Sequence, residues 1–156
     1  MPRLIGLISD THGLVRPDVF TALAGAEFIL HAGDVGRGVL EELRAIAPVA
    51  AVFGNTDPPG DPELPDCIER EVDGVRIHVS HGHELGSPRP GSLLVAYDAD
   101  VIVYGHTHRQ LIHEENGRLV VNPGSAGPRR FSLPASVGLL RIDRGKPSVE
   151  IVQLAD

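Results

Sequence analysis

Five times along this chain a short apolar run stops at a glycine or a polar residue and gives way to a block drawn from Asp, Asn and His. The blocks are Ser9-Asp10-Thr11-His12-Gly13, Gly33-Asp34, Gly54-Asn55-Thr56-Asp57, His81-Gly82-His83 and Gly105-His106-Thr107-His108. In open α/β sheets the carboxyl ends of the strands form the ligand-binding edge, so five such blocks predict one rim on which distant polar residues converge. The first three runs, Leu4 to Ile8, Phe28 to His31 and Val49 to Phe53, read as buried strands. Between the last two, Val39, Leu40, Leu43, Ile46 and Ala47 recur at helical spacing until Pro48 ends the pattern. Strand, helix, strand is the grammar of a parallel sheet.

The second half alternates instead. Ile68 to Val72 and Val75 to Val79 flank Asp73-Gly74, and Leu111 to Glu115 and Leu119 to Val121 flank Asn116-Gly117, both hairpin signals. Val137 to Ile142 and Val149 to Val152 add two closing strands. The expected fold is therefore α/β, with two mixed sheets face to face and helices outside. At 156 residues the chain suits a single domain spanning 1–156. The rich supply of 18 Gly and 13 Pro goes to turns and to two rigid loops, Asp57 to Pro65 and Gly86 to Gly91.

Charge and composition remove several functions. With 14 Lys plus Arg against 21 Asp plus Glu, the formal charge of -7 disfavours a protein that grips long nucleic acid through its phosphates. Aromatic residues at 4% and no Trp disfavour a platform of stacked rings. The lone Cys67 excludes an intrachain disulfide and a cysteine-based zinc site, and reads as a small buried apolar residue in a reducing compartment. Asp10 and His12 interrupt the N-terminal apolar run, and no run approaches a membrane span, so the expectation is a soluble, unexported, cytoplasmic protein with no membrane partner.

Asp, Asn and His without thiolate suit Mn, Fe, Zn, Ni or Co. In Asp10-x-His12 and His106-x-His108 the paired side chains share one face of an extended segment, or splay around a common centre in a tight loop.

The ordered blocks D-x-H, G-D, G-N-x-D, H-G-H and G-H-x-H, continued by Asn122-Pro123-Gly124-Ser125, resemble the calcineurin-like metallophosphoesterase superfamily, in particular its small bacterial and archaeal phosphodiesterases. The resemblance implies a four-layer α/β/β/α sandwich and two divalent metal ions per chain, manganese first among them. Carried over position by position, it implies Asp10, His12 and His108 on one metal, Asn55, His81 and His106 on the other, and Asp34 between them. Two cations about 3.5 to 4 Å apart turn a shared water into hydroxide and clamp phosphoryl oxygens for in-line attack. Many members carry G-N-H-[DE]; here Thr56 replaces that His, which leaves leaving-group protonation without an owner. His83 is the candidate. Asp57 is expected to orient a ligand or buttress its loop. Arg129 and Arg130 are candidates to reach a substrate phosphate. Of the other histidines, His31 reads as structural, while His78 and His113 read as surface residues.

The resulting expectation is a metal-dependent phosphodiesterase of small substrates such as a cyclic nucleotide or an activated aryl diester, forming a dimer or tetramer as small relatives do. Two alternatives stand beside it. One is a non-catalytic interaction scaffold, since the superfamily's retromer subunit resembles the same fold. The other is a nuclease of short single-stranded nucleic acid.

Overall fold

The computed structural model describes residues 2–129 and 132–155. Ten strands and three short helices follow in the order β1 (Arg3–Ile8), α1 (Pro17–Ala22), β2 (Phe28–His31), α2 (Val39–Arg44), β3 (Val49–Ala51), β4 (Cys67–Val72), β5 (Val75–Ser80), α3 (Pro90–Ala96), β6 (Val101–Val103), β7 (Leu111–Glu115), β8 (Arg118–Asn122), β9 (Ser136–Asp143) and β10 (Lys146–Gln153). One sheet has the order β10-β9-β1-β2-β3 and the other β4-β5-β6-β8-β7. Both are mixed. β1, β2 and β3 run parallel, with β9 and β10 antiparallel at one side. In the second sheet β5, β6 and β8 run parallel between antiparallel edge strands.

Alternation along the strands decides the layering. Ile5 and Leu7 of β1 join Leu30 in packing against Ile77, Val79, Val101, Val103 and Val121, which makes the core between the sheets. Ile8 and Ile29 point to the other face and pack on Val19, Leu23, Val39 and Leu43 from α1 and α2. On the far side Leu93 of α3 packs on Ile102 and Val120. These three cores make the expected α/β/β/α stack.

Several elements differ from the sequence reading, among them β3, which ends at Ala51 rather than Phe53, and α1, which was not expected. β6 has only three residues, too few to show an alternating pattern. The loop 86–91 ends two residues earlier than expected, because Pro90 takes the first helical position of α3, where its missing N–H costs nothing. Cys67 is exposed rather than buried, since it opens the edge strand β4. His78 corrects the surface reading too: it is 1% exposed, covered by Tyr97 at the end of α3, whose ring stacks on it at 3.7 Å. His113 is half-buried, at the β7 edge.

Candidate metal centre

The parallel strands of both sheets end on the same side, and their carboxyl-end loops meet there. The two rims touch directly: a Cβ added at Gly105, after β6, would lie 2.1 Å from Ser9 Oγ and 2.6 Å from Asp10 Oδ2. Only glycine permits that approach.

Each carboxylate has one oxygen spent on protein donors and one turned inward. Asp10 Oδ2 accepts from the Ser9 hydroxyl at 2.6 Å and from the His106 N–H at 3.1 Å. Asp10 Oδ1 is buried without a hydrogen-bond partner, 3.4 Å from His108 Nε2 and 3.9 Å from the Nε2 atoms of His12 and His81. Asp34 Oδ1 accepts from the Thr56 N–H at 2.9 Å, while Oδ2 lies 3.2 Å from His81 Nε2 and 3.7 Å from His12 Nε2. His81 donates Nδ1–H to the Ala32 carbonyl at 2.7 Å, which turns its Nε2 toward Asp34 and toward Asn55 Oδ1 at 3.0 Å. His106 Nδ1 is 3.2 Å from the same Asn55 oxygen, and Asn55 itself is exposed.

Lone pairs therefore face lone pairs, an arrangement that only a proton or a cation satisfies. Without a metal the proton does so. Burial pulls the His81 ring toward neutrality, but Asp34 and Asp10 outweigh it and raise its pKa. Burial likewise works against the Asp34 carboxylate, yet His81 and the Thr56 N–H hold it well below the usual carboxylate range. His106 is pushed down by burial and by neighbouring His81. Two donor triads, Asp10-His12-His108 and Asp10-Asp34-His81, each bring their ligand atoms within 4.8 Å of one another. The residues fit divalent metal binding, with Asp10 common to both triads and with Asn55 and His106 beside the second.

Hydrogen bonds from farther out fix these loops. Asp57 accepts from the N–H groups of Asp34 (3.0 Å), Val35 (2.9 Å), Gly36 (3.3 Å) and Gly54 (2.9 Å), tying the Asp34 loop to the Asn55 loop. His31 is fully buried. Its Nδ1 accepts from the Gly33 N–H at 3.0 Å, so Nε2 carries the proton and donates to Thr11 Oγ1 at 2.9 Å, which donates to the Val35 carbonyl. Two residues of the Asn122-Pro123-Gly124-Ser125 block, to which the sequence reading gave no individual role, complete the set. Asn122 donates to the Gly105 carbonyl and Thr107 Oγ1, and Ser125 donates to the Asp10 carbonyl at 3.0 Å. Their signal was present, since both stand at or just past the end of a parallel strand, β8.

His83 stands beside the cluster on a 3₁₀ turn, its ring 5.3 Å from that of His81, with Nδ1 buried, without a hydrogen-bond partner and 4.0 Å from Glu84 Oε1. Arg129 is exposed and donates Nε–H to the Leu133 carbonyl within its own loop. Arg130 lies outside the described residues.

A family profile, the calcineurin-like phosphoesterase superfamily domain, matches residues 4–145. The chain belongs to this superfamily. As a phosphoesterase it is a hydrolase acting on ester bonds. It is 38% identical to a protein named "Probable metallophosphoesterase" from Methanothermobacter thermautotrophicus, over 96% of this chain and 92% of that one. It is 31% identical to phosphodiesterase YfcE of Escherichia coli K12, over 86% of this chain and 85% of the relative. Among solved structures, vacuolar protein sorting 29 from Cryptosporidium parvum superposes with a TM-score of 0.79 at 26% identity, covering 99% of each chain. Among the described residues of this phosphoesterase, no helix is long and apolar enough to cross a membrane.

Proposed function

We propose that this protein hydrolyses small phosphodiesters at a centre of two divalent cations held by Asp10, His12, Asp34, Asn55, His81, His106 and His108. The observation that carries the reading is the convergence of ligand atoms, above all the buried Asp10 Oδ1, which has no hydrogen-bond partner. When bound, the ions would supply a hydroxide from water at neutral pH and neutralise the phosphoryl oxygens.

The chain's own residues do the rest. Asp34, a member of the second triad whose Oδ2 also lies 3.7 Å from His12 Nε2 of the first, would screen the repulsion of the cations, and Asn55 would add an oxygen without adding charge. Asp57 holds both of their loops in register. Thr56, where many relatives carry His, has no titratable group, so the departing oxygen takes its proton from elsewhere. His83, its ring beside His81 and its Nδ1 without a hydrogen-bond partner, is our donor. Arg129 reaching a substrate phosphate, manganese as the ion, one domain over 1–156, a cytoplasmic location and a dimer or tetramer are parts of the same proposal and rest on the resemblance.

The scaffold reading draws on the likeness to vacuolar protein sorting 29. A scaffold is free to lose ligands, whereas every position of the family set is filled here, which favours the enzyme. The nuclease reading would use the same metal centre on a longer substrate.

The test is a hydrolysis panel on chelator-treated protein with Mn²⁺, Ni²⁺, Co²⁺, Zn²⁺ or Mg²⁺ restored. We expect bis(p-nitrophenyl) phosphate to be cleaved well ahead of p-nitrophenyl phosphate, and Asp34→Ala to lose both bound metal, by elemental analysis, and turnover. Full activity in Asp34→Ala, or activity on monoesters alone, overturns the assignment. No hydrolysis with any metal supports the scaffold.

A further inference from the structure

A cleft of about 630 Å³ begins beside the metal centre, at His12 and Thr56, and runs between α2 and the proline-rich loop 57–65. The metal chemistry leaves it unused. Its volume falls in the range of about 300 to 1,000 Å³ typical of sites that enclose a whole organic ligand. Because His12 and Thr56 are among its lining residues, the cleft opens beside the metal-ligand candidates.

The walls say what kind of group fits. Leu40, Pro58 and Leu64 give apolar surface, and the Arg44–Glu63 ion pair ties α2 to the loop across the cleft. Arg37 is exposed on the wall, between Gly36 and Gly38, with no hydrogen-bond or ion-pair partner among the described residues. Glu41 on the same wall has none either, and Asp61 spends only Oδ1, on the Glu63 N–H. A cation with planar donors and two acceptor carboxylates are thus left open around an apolar surface.

Three occupants fail on these grounds. A second phosphate is repelled, since acidic side chains outnumber basic ones along the cleft. A quaternary ammonium requires aromatic faces, and no Phe, Tyr or Trp is among the described residues lining it. A short alkyl group leaves Arg37 and Glu41 without partners. Carboxylates that accept from sugar hydroxyls, beside an apolar surface for a flat ring, are how nucleosides are held elsewhere.

Building on the phosphodiesterase reading, we infer that this cleft seats a nucleoside arm of the substrate. The base lies against Leu40 and Pro58, Arg37 donates to its acceptor atoms, and Glu41 and Asp61 accept from the sugar hydroxyls. Arg37 and Glu41 are then specificity-determining residues, and the substrate class is a nucleoside phosphodiester.

The experiment compares the dinucleotide adenylyl-adenosine with bis(p-nitrophenyl) phosphate on manganese-loaded wild type, Arg37→Ala and Glu41→Gln. Both residues are exposed and outside the cores, so neither variant threatens folding. The selectivity ratio, kcat/KM for the dinucleotide over that for the aryl diester, is expected to fall about tenfold in Arg37→Ala, with the loss carried by KM. Saturation-transfer NMR with adenosine on metal-free protein reads the cleft without turnover. The signal is expected in wild type and is expected to weaken in Arg37→Ala. An unchanged ratio, an uncleaved dinucleotide beside a cleaved aryl diester, or an adenosine signal indifferent to Arg37 overturns the inference. Failure of wild type to cleave either diester overturns the phosphodiesterase reading instead, and the adenosine measurement still tests the cleft.

Discussion

At the hairpin end of the sandwich, Asp73, Asn116 and Arg144 take left-handed backbone conformations, each followed by a left-handed glycine in an exposed two-residue turn. At the opposite rim Asp10, His12, Asp34, His106 and His108 have positive φ as well, from 47° to 71°, but with side chains buried or half-buried among one another. These are all the non-glycine residues of positive φ in the described chain. In the hairpins the conformation is a local matter, since two successive positive φ values define the turn that matches strand twist. At the rim His12 alone shares that pattern, with Gly13 (φ 88°) after it in a turn closed by the Leu14 N–H on the Thr11 carbonyl at 3.0 Å, whereas Asp10, Asp34, His106 and His108 stand in no such turn. A left-handed residue costs roughly 1–2 kcal/mol, and contacts from far along the chain hold it in place. Asp10 N–H donates to the Gly33 carbonyl, His12 N–H to the Asp34 carbonyl and Gly13 N–H to the Val35 carbonyl, at 2.9–3.0 Å. The difference separates backbone chosen by the nearest residues from backbone strained so that ligand atoms converge.

The sharpest way to break this contrast is a matched pair of glycines. Gly36 (φ 85°) and Gly74 (φ 83°) have nearly the same backbone. A Cβ on Gly36 would fall 2.1 Å from the Gly13 N, inside the loop that carries His12, whereas one on Gly74 meets nothing within 4 Å. Gly74→Ala is expected to cost about 1 kcal/mol from conformation alone. Gly36→Ala is expected to cost about 3 kcal/mol or more, because backbone must move. Urea denaturation of the two variants measures both, and equal losses would show that the rim is no more tightly determined than a hairpin.

His31 offers a second, smaller test. It is the buried link between the Asp10–His12 loop and the Gly33–Asp34 loop, so His31→Leu leaves a Gly33 N–H and a Thr11 hydroxyl without their imidazole partner. The expected cost is about 1–3 kcal/mol, with metal affinity lowered roughly 10- to 100-fold in a chelator competition. Burial lowers the pKa of this ring to about 4. Between the ordinary value of 6.5 and about 4 the unfolded chain takes up a proton that the folded ring refuses. This group's contribution to stability is therefore fully present above 6.5 and erodes as pH falls toward 4. NMR titration of the His31 ring checks it, and a midpoint near 6.5 would contradict the buried neutral link.

The same division explains what was legible in the sequence. Asp73-Gly74 and Asn116-Gly117 announce their turns through the residues themselves, and the five polar blocks announce strand ends in the same way. The metal-ligand candidates were visible because a ligand must be an Asp, Asn or His wherever it lies. Residues whose role depends on what lies across from them were not visible. His78 alternates like a surface residue until Tyr97 covers it, and Cys67 looks apolar until its strand proves to be an edge. Thr11, Asn122 and Ser125 carry no distinctive chemistry on their own; Thr11 and Asn122 find partners at the neighbouring strand's end, and Ser125 finds its partner where the two rims meet. Arg37 and Glu41 flank a cleft whose other wall is supplied by Pro58, Asp61 and Leu64, far along the chain.

The smallest expected effect lies at the hairpin end. Arg144 sits at φ 54° before Gly145, with no hydrogen-bond or ion-pair partner among the described residues, so nothing compensates its left-handed backbone. Asn visits that region far more readily than a long side chain does, because its short polar group bonds locally. Arg144→Asn is therefore expected to stabilise the protein by about 0.5–1 kcal/mol, with metal binding and turnover unchanged, as thermal denaturation and the diester assay would record. His106, at φ 71°, has the same backbone preference at the rim. An Asn there relieves the same strain, yet it removes an imidazole from the donor set. Stability and metal affinity then move in opposite directions at the rim, while only stability moves at the hairpin. A loss of turnover in Arg144→Asn would mean that the two ends are coupled and that the strain is not confined to the rim.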